Sequence, residues 1–461
     1  MAEQPHIVIC CLDTVRKDFY DEYATRLSEL ATIEFEEMRS ASSWSVPSHA
    51  GMLTGKLAHE TGLHTYDEDF STLDPSETWL SDLSGWNKAL LSSNTYISPA
   101  FGFDTFFDES TAISPSRRFA QGMDIREHIN SREEKNMLGF LRDALSHDSP
   151  VHTLLNGAFH KFHHIIQDLP GPMPYDYGGK AIMGSLERQL LNAEKPTFAF
   201  VNVVDAHGPH PPYRGLDKDI FDCSWFFQPP DVEPWTIIDS SSTPSWVETI
   251  RRLYAAEVDY LDRIVSSSIE RLKSELEREL VVIITADHGQ NLGYGHENNL
   301  FGHSSSLSEG VLHVPFDIIT SGERSSIEEP TSLLDLGTIV SHLIDREPVT
   351  SIQFQQPAAE IAGAASGIPD RDPEYWDRAQ QAVYIDGKKL VRDSESGENV
   401  YDISGRACYQ TKLPNAEFDR EAFQPAFDRD IHVFNAEGNR AESDMDLDSE
   451  TLSQLEDLGY R

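Results

Sequence analysis

Five apolar runs punctuate the chain, and three of them end in the same way. Residues 6–12 (HIVICCL) read as a strand buried on both faces, with Asp13 standing at its C-terminal end. Residues 197–204 (TFAFVNVV) run into Asp205 and His207, and residues 280–286 (LVVIITA) run into Asp287 and His288. Shorter runs at 86–94 and 314–319 predict two more strands. Between them, residues 180–193 and 246–279 place apolar side chains at helical spacing. Strands alternating with helices predict an α/β fold, a mostly parallel central sheet with helices on both faces. Sites on such sheets form at the C-terminal ends of strands. Three strand ends carrying Asp, or Asp plus His, coincide with that place.

Two stretches break the alternation. Residues 112–178 mix helical pieces with Gly/Pro turns, and residues 214–245 hold several aromatics and a Ser-Ser-Ser-Thr-Pro segment. Both read as insertions, either active-site lids or solvated decoration. Beyond about residue 345 the pattern changes again. Residues 382–403 read as β-hairpin material around a Ser/Gly turn, and 448–458 as a capped terminal helix. The expected division is a catalytic domain over 1–345 and a small C-terminal α+β subdomain over 346–461.

Charge narrows the choice of partners. Asp and Glu number 77 against 37 Lys and Arg, a formal net charge of −40. No basic surface is available for phosphate backbones, which excludes nucleic acid as a partner. The acids are spread along the whole chain, a pattern that fits a halophilic protein in a high-salt cytoplasm, where screening removes self-repulsion. The four cysteines, Cys10, Cys11, Cys223 and Cys408, form neither a disulfide framework nor a zinc knuckle. There is no basic n-region ahead of the first apolar run and no run of 18 apolar residues. A cytoplasmic protein without a membrane span is the expectation.

The candidate chemistry sits at the strand ends. Asp13, Asp287 and His288 together make a plausible divalent-metal site if their strands are neighbours. Taken singly, each acid reads as a helix cap. Residues 43–55 (SWSVPSHAGMLTG) suit a hydroxyl, Ser45, presented at a helix start with Pro47 in the first turn. Such a helix N-terminus offers N–H groups to an anionic ester.

These segments resemble the sulfatase family of the alkaline-phosphatase superfamily. Ser45-x-Pro-Ser-His-x-x-x-Leu-Thr-Gly is similar to the family signature, in which Cys-x-Pro-Ser-Arg precedes Leu-Thr-Gly. Residues 9–18 (ICCLDTVRKD) resemble the opening strand with its metal-binding aspartate, and 283–289 (IITADHG) the second metal motif. Residues 204–213 (VDAHGPHPPY) resemble the substrate-histidine motif. Residues 301–315 resemble the stretch ending in Val-Pro, and 454–460 (QLEDLGY) the family C-terminus. The resemblance covers roughly 6–110, 180–340 and 380–461.

The resemblance implies an ester hydrolase with one divalent metal (Ca, Mn, Mg or Zn) held by Asp13, Asp287 and His288. Ser45 would be nucleophile and fourth ligand. His207 and His303 would contact the anionic group or protonate the leaving oxygen near neutral pH, and His49 would support the nucleophile. The family's nucleophile is a cysteine or serine oxidised to formylglycine, followed by an arginine. Here His49 replaces that arginine, His303 a lysine, and His288 the asparagine often found at the second metal position, which resembles the phosphatase, phosphonate-hydrolase and phosphoglycerol-transferase side of the superfamily. The substrate expected is a sulfate or phosphate ester of a small molecule or glycan, with phosphate favoured for an unmodified serine. A phospho-group transferase on envelope glycans or lipids and a non-catalytic binding module are the competing readings. Asn94, His59, His64, His210 and His296 lie near the motifs, and His160, His163 and His164 sit at helical spacing in the first insertion.

Overall fold

A computed structural model describes residues 3–114, 117–125, 128, 137–167, 171–230, 232, 236–239, 241–303, 306–363, 372–427 and 429–438, together with 445, 447, 451–452 and 454–455. The terminal helix expected at 448–458 lies largely outside them.

The central sheet has eight strands: β1 (His6–Leu12), β2 (Ile33–Phe35), β3 (Asn87–Ser92), β4 (Glu109–Ala112), β5 (Thr197–Val203), β6 (Leu280–Thr285), β7 (Phe316–Ile319) and β8 (Ser325–Ile327). Their order is β8-β2-β7-β6-β1-β5-β3-β4. All pairings are parallel except those of β7, which runs antiparallel to both β6 and β2. β1 sits in the middle, paired to β5 and β6, and every residue of the three is buried. That double burial is why these runs are uninterrupted by charge. The register aligns Leu12 with Val203 and Cys11 with Thr285, so the three strands end level with one another. Asp13, Asp205 and Asp287 therefore emerge along one edge.

Five helices matter for the site: α1 (Ser45–Thr54), α2 (Met137–Ser146), α3 (Pro150–Gln167), α4 (Gly179–Leu191) and α5 (Ser245–Glu275). The two long periodic stretches of the sequence thus form α4 and α5 close to their expected limits. The five-stranded second sheet is β9 (Ala358–Ile361), β10 (Gln380–Ile385), β11 (Lys388–Asp393), β12 (Gly397–Asp402) and β13 (Thr411–Lys412), antiparallel throughout. The expected hairpin at 382–403 is in fact three strands. The extra reversal is made by Asp386-Gly387, both with positive φ, the dihedrals of a tight hairpin turn.

The second sheet is tied to the first by buried polar groups. Glu360 on β9 accepts from His59 and Gln381, and its backbone bonds to Ala41 and Ser42, just ahead of α1. Lys389 on β11 reaches Glu309 at 2.9 Å, with Arg39 at 2.8 Å and the Tyr384 hydroxyl at 2.9 Å on the same carboxylate. Burial would raise the Glu309 pKa, but Arg39 and Lys389 pull it down to about 2.

One buried acid in the core works against the fold. Asp317 on β7 accepts only a neutral hydroxyl, from Tyr20 at 2.7 Å, and burial pushes its pKa up to about 7. The folded state therefore holds a proton that the unfolded chain releases near pH 4. Its contribution is fully present below that point and is eroded as the pH climbs to about 7. Asp317→Asn is expected to remove the slope, gaining on the order of 3 kcal/mol over the parent at pH 8 relative to pH 4. Thermal melts of both proteins across that range check this; parallel curves would contradict it.

Candidate active site

Thr14 stitches the three strand ends together. It follows Asp13 with φ of 61°, a left-handed conformation that a β-branched residue adopts only under constraint. The constraint is visible. Its N–H donates to Asp287 Oδ1 at 3.3 Å, its hydroxyl to the Ala206 carbonyl at 3.1 Å, and its carbonyl accepts the Tyr254 hydroxyl at 2.6 Å. Each bond crosses to another element, so Asp13 and Asp287 are fixed relative to the loop carrying His207. Asp205, by contrast, turns away: its carboxylate accepts from the Tyr177 and Gly179 amides at the start of α4. Of the acids at the three strand ends, two converge and one caps a helix.

Ser45 opens α1, and its hydroxyl lies 3.3 Å from His288 Nε2. No side chain caps this helix start. Ser48 anchors the helix from one turn further in, donating to the Asp287 carbonyl at 2.6 Å, and Ser40 donates to the same oxygen. His49 sits beneath. Its Nδ1 donates to the Ser45 carbonyl at 2.7 Å and its Nε2 accepts from the Asn202 amide at 3.0 Å, between the rings of Phe103 and Phe200. Burial lowers its pKa. Both nitrogens are thus committed to holding the helix, so His49 braces Ser45 through the backbone.

The two acids need a cation. Asp13 Oδ2 accepts from Asn94 at 2.6 Å, while Asp13 Oδ1 and Asp287 Oδ2 are buried without a hydrogen-bond partner. Burial and then the Asp287 charge push the Asp13 carboxyl well above its usual range. Asp287 is held low against its burial by the His288 and His49 rings and by the His288 and Thr14 amides. His288 Nδ1 donates to the Gly289 carbonyl at 2.9 Å, which presents Nε2 as a lone pair. One ligand atom each from Asp13, Asp287 and His288 lies within 4.8 Å of the others. Two orphaned carboxylate oxygens and an imidazole lone pair, fully buried, fit a divalent metal and little else. Among the described residues this is the one such cluster.

His207 and His303 stand over this group. The His303 ring centroid is 4.5 Å from that of His288 and 5.5 Å from that of His207. His207 Nδ1 bonds the Gly208 carbonyl and His303 Nδ1 the Ser43 carbonyl, both at 3.0 Å. Burial lowers His207 to about 4, and burial together with the His288 and His207 rings holds His303 well below the usual imidazole range. Both are therefore neutral at pH 7, which corrects the expectation of ready-made general acids. Each becomes an acid only once an anion beside it raises its proton affinity.

Asn202 was missed by the motifs. It is a lone amide in the otherwise apolar β5, a signal the strand pattern contained. His59 binds Glu360, His210 bonds Glu257 at 2.7 Å and Gln290 at 3.0 Å, and His296 stacks on Tyr294. His163 bonds the Tyr175 hydroxyl, while the side chain of His164 lies outside the described residues. Beside the site lies a cavity of about 400 Å³ lined by Thr95, Phe159, Tyr175, Tyr177, Pro209 and Phe227, among others. Thr95 follows Asn94 and Pro209 lies two residues after His207, but none of Asp13, Ser45, His207, Asp287, His288 or His303 lines the cavity itself. Both insertions contribute walls.

Comparison with known proteins identifies the family and the fold. A family model described as Sulfatase matches residues 5–345. No curated protein matches the chain. The phosphonate monoester hydrolase of Agrobacterium radiobacter superposes with a TM-score of 0.57 at 14% identity, covering 87% of this chain and 90% of that one. That of Silicibacter pomeroyi gives 0.56 at 16%, covering 98% and 97%. A protein solved in complex with its substrate D-glucosamine-2-N,6-O-disulfate gives 0.58 at 14%, covering 97% and 100%.

Proposed function

Because the chain belongs to the sulfatase family, we propose that it is a metal-dependent ester hydrolase whose unmodified Ser45 attacks phosphoric or phosphonic monoesters. The observation that carries the reading is Ser45 Oγ, 3.3 Å from His288 Nε2, at the head of an uncapped helix and beside the orphaned oxygens of Asp13 and Asp287. A divalent ion held by Asp13, Asp287, His288 and Ser45 would lower the proton affinity of the Ser45 hydroxyl and neutralise charge developing on the ester. Ser45 Oγ, having given its proton to water, forms a bond to phosphorus as the P–O bond to the leaving alcohol breaks. The alcohol takes its proton from His207 or His303, protonated when the anionic ester arrives beside it. The first-turn amides of α1 face the same charge. Water then attacks phosphorus and frees Ser45. A sulfated serine has no second hydroxyl to expel sulfate, so the same residue suits phosphorus better.

The organic part of the substrate would occupy the cavity beside His207. Arg118 in its wall is neutralised by Asp176, and Phe159, Tyr175 and Tyr177 supply ring faces. An uncharged ring-bearing group fits that lining. Phe159→Ala is expected to raise KM for an aryl ester about tenfold and leave kcat within about twofold, the signature of lost uniform binding. Equal KM values would remove the cavity from the substrate path.

The test of the reaction class is turnover of nitrophenyl phosphate, its diester, a phosphonate monoester and nitrophenyl sulfate, each with Mn, Ca, Mg or Zn, at high salt. Phosphoester or phosphonate turnover with an intact Ser45 mass supports the proposal. Sulfate turnover with a formylglycine mass at that position overturns it.

A further inference from the structure

The first insertion contains a helix that is amphipathic the wrong way round. The inward face of α3 is pinned by polar bonds: Asn156 exchanges hydrogen bonds with the Phe119 and Met123 backbone, Thr153 accepts from the Met123 amide, and His163 meets Tyr175. The fit is close, since a Cβ on Gly122 would lie 2.6–2.7 Å from α3 atoms. The outward face carries Val151, Leu155, Phe162 and Ile165, with Ala158 between them, all exposed. At 100° per residue these five fall on one stripe. α2 adds Leu141 and Leu145. Of the ten exposed large hydrophobics among the described residues, six lie on this hairpin, and a seventh, Phe226, stands beside Gly171 at the rim of the cavity. A concentration of this kind marks an interaction surface.

Charge says what covers it. At the average of the chain an 18-residue stretch would hold about three acids, yet α3 holds none, and its polar positions include Lys161 and four histidines. At low salt a net charge of −40 opposes the approach of a second copy, whereas a zwitterionic lipid surface presents no opposing net charge at any salt. We propose that the hairpin formed by α2 and α3 docks the protein on a lipid surface, with the α3 stripe lying in the headgroup–acyl boundary. Phe159 and His163, on the flank of α3 next to the stripe, line the cavity wall, so docking would set that cavity close to the bilayer. The proposal is independent of the reaction assigned above.

Flotation with phosphatidylcholine vesicles tests it, at about 0.2 M and about 2 M NaCl, where screening lengths differ several-fold. The parent protein is expected to float with the vesicles at both salts. With anionic phosphatidylglycerol vesicles, binding should strengthen as salt rises, the reverse of polybasic docking. The double variant Leu155→Glu/Phe162→Glu should lose at least tenfold in vesicle binding while keeping its melt and its turnover of a soluble aryl ester. Should that variant misfold, Ala158→Trp gives a second readout: its emission should shift to the blue on adding vesicles. A parent that stays with the soluble fraction at both salts, or an Ala158→Trp emission that ignores lipid, overturns the proposal. So does light scattering that shows a dimer dissociated by the same two substitutions, which would assign the stripe to a second copy.

Discussion

Ser45→Ala is expected to lower kcat on any accepted ester by at least about 10³-fold while leaving the melting temperature nearly unchanged. The separation follows from how Ser45 is held. Its hydroxyl bonds only His288 Nε2, at a long 3.3 Å, and α1 begins without a side-chain cap. The helix is anchored elsewhere, by Ser48 on the Asp287 carbonyl and by His49 on the Ser45 carbonyl. Removing Oγ therefore deletes the attacking atom without loosening its mount. Steady-state kinetics and a thermal melt of one preparation check both halves. Retained turnover would show that water, not serine, attacks, and a large drop in melting temperature would show that the hydroxyl is structural.

Asp13→Asn should invert the stability order of variant and parent between chelated and metal-loaded protein. In the chelated parent, burial and Asp287 hold the Asp13 carboxyl well above its usual range. A carboxyl raised in the fold above its unfolded value costs stability wherever the unfolded chain ionises more readily, that is, as the pH rises above the ordinary carboxylate range. An asparagine carries no charge and can still accept the Asn94 amide through its carbonyl oxygen. The chelated variant should thus melt at or above the parent. Metal at 100 times its Kd adds about 2.7 kcal/mol to a protein that binds it only when folded. The parent should gain that increment and the variant most of it not, along with loss of turnover to background. Melts of both proteins with and without chelator decide the matter; an equal metal response in both would remove Asp13 from the ligand set.

Much of this site was readable because parallel strands are written as unbroken apolar runs, and their last residues are pinned by register. Asp13, Asp287 and His288 could be placed together once β1 and β6 were taken as neighbours. His207 was legible at a strand end and Ser45 at a helix start, while His303 and the bringing together of all three were owed to motif resemblance, since spacing alone does not bring positions 45, 207 and 303 to one point. The motif could not say that His207 and His303 rest neutral, because burial by distant segments sets their proton affinity. Nor could it show that Thr14 is left-handed, a conformation held by partners from three other elements. Asp205 shared the strand-end signature of Asp13 yet caps α4, as any single acid at such a place can. In the C-terminal region the Ser/Gly turn was seen and the Asp386-Gly387 turn was not, so three strands were read as two. The helical spacing in the first insertion was correct, but which face of α3 turns outward depends on polar partners at 119–123 and 175.

The buried ammonium of Lys389 has a consequence for inheritance. It belongs to the second sheet, yet the charge it answers, Glu309, belongs to the first part of the chain. A chain stopped at Asp345 would leave Glu309 with Arg39 as its single cation and would strip the apolar side chains Ala41, Leu57 and Leu334 of their cover by Val383, Leu390 and Phe423. The second sheet is therefore not cargo that recombination could exchange between relatives piece by piece. A transplanted version would have to bring a cation to one buried point, and β9 would have to meet the loop before Ser45 in the same register. Lineages of this protein should shuffle their insertions freely and their two sheets only as a pair.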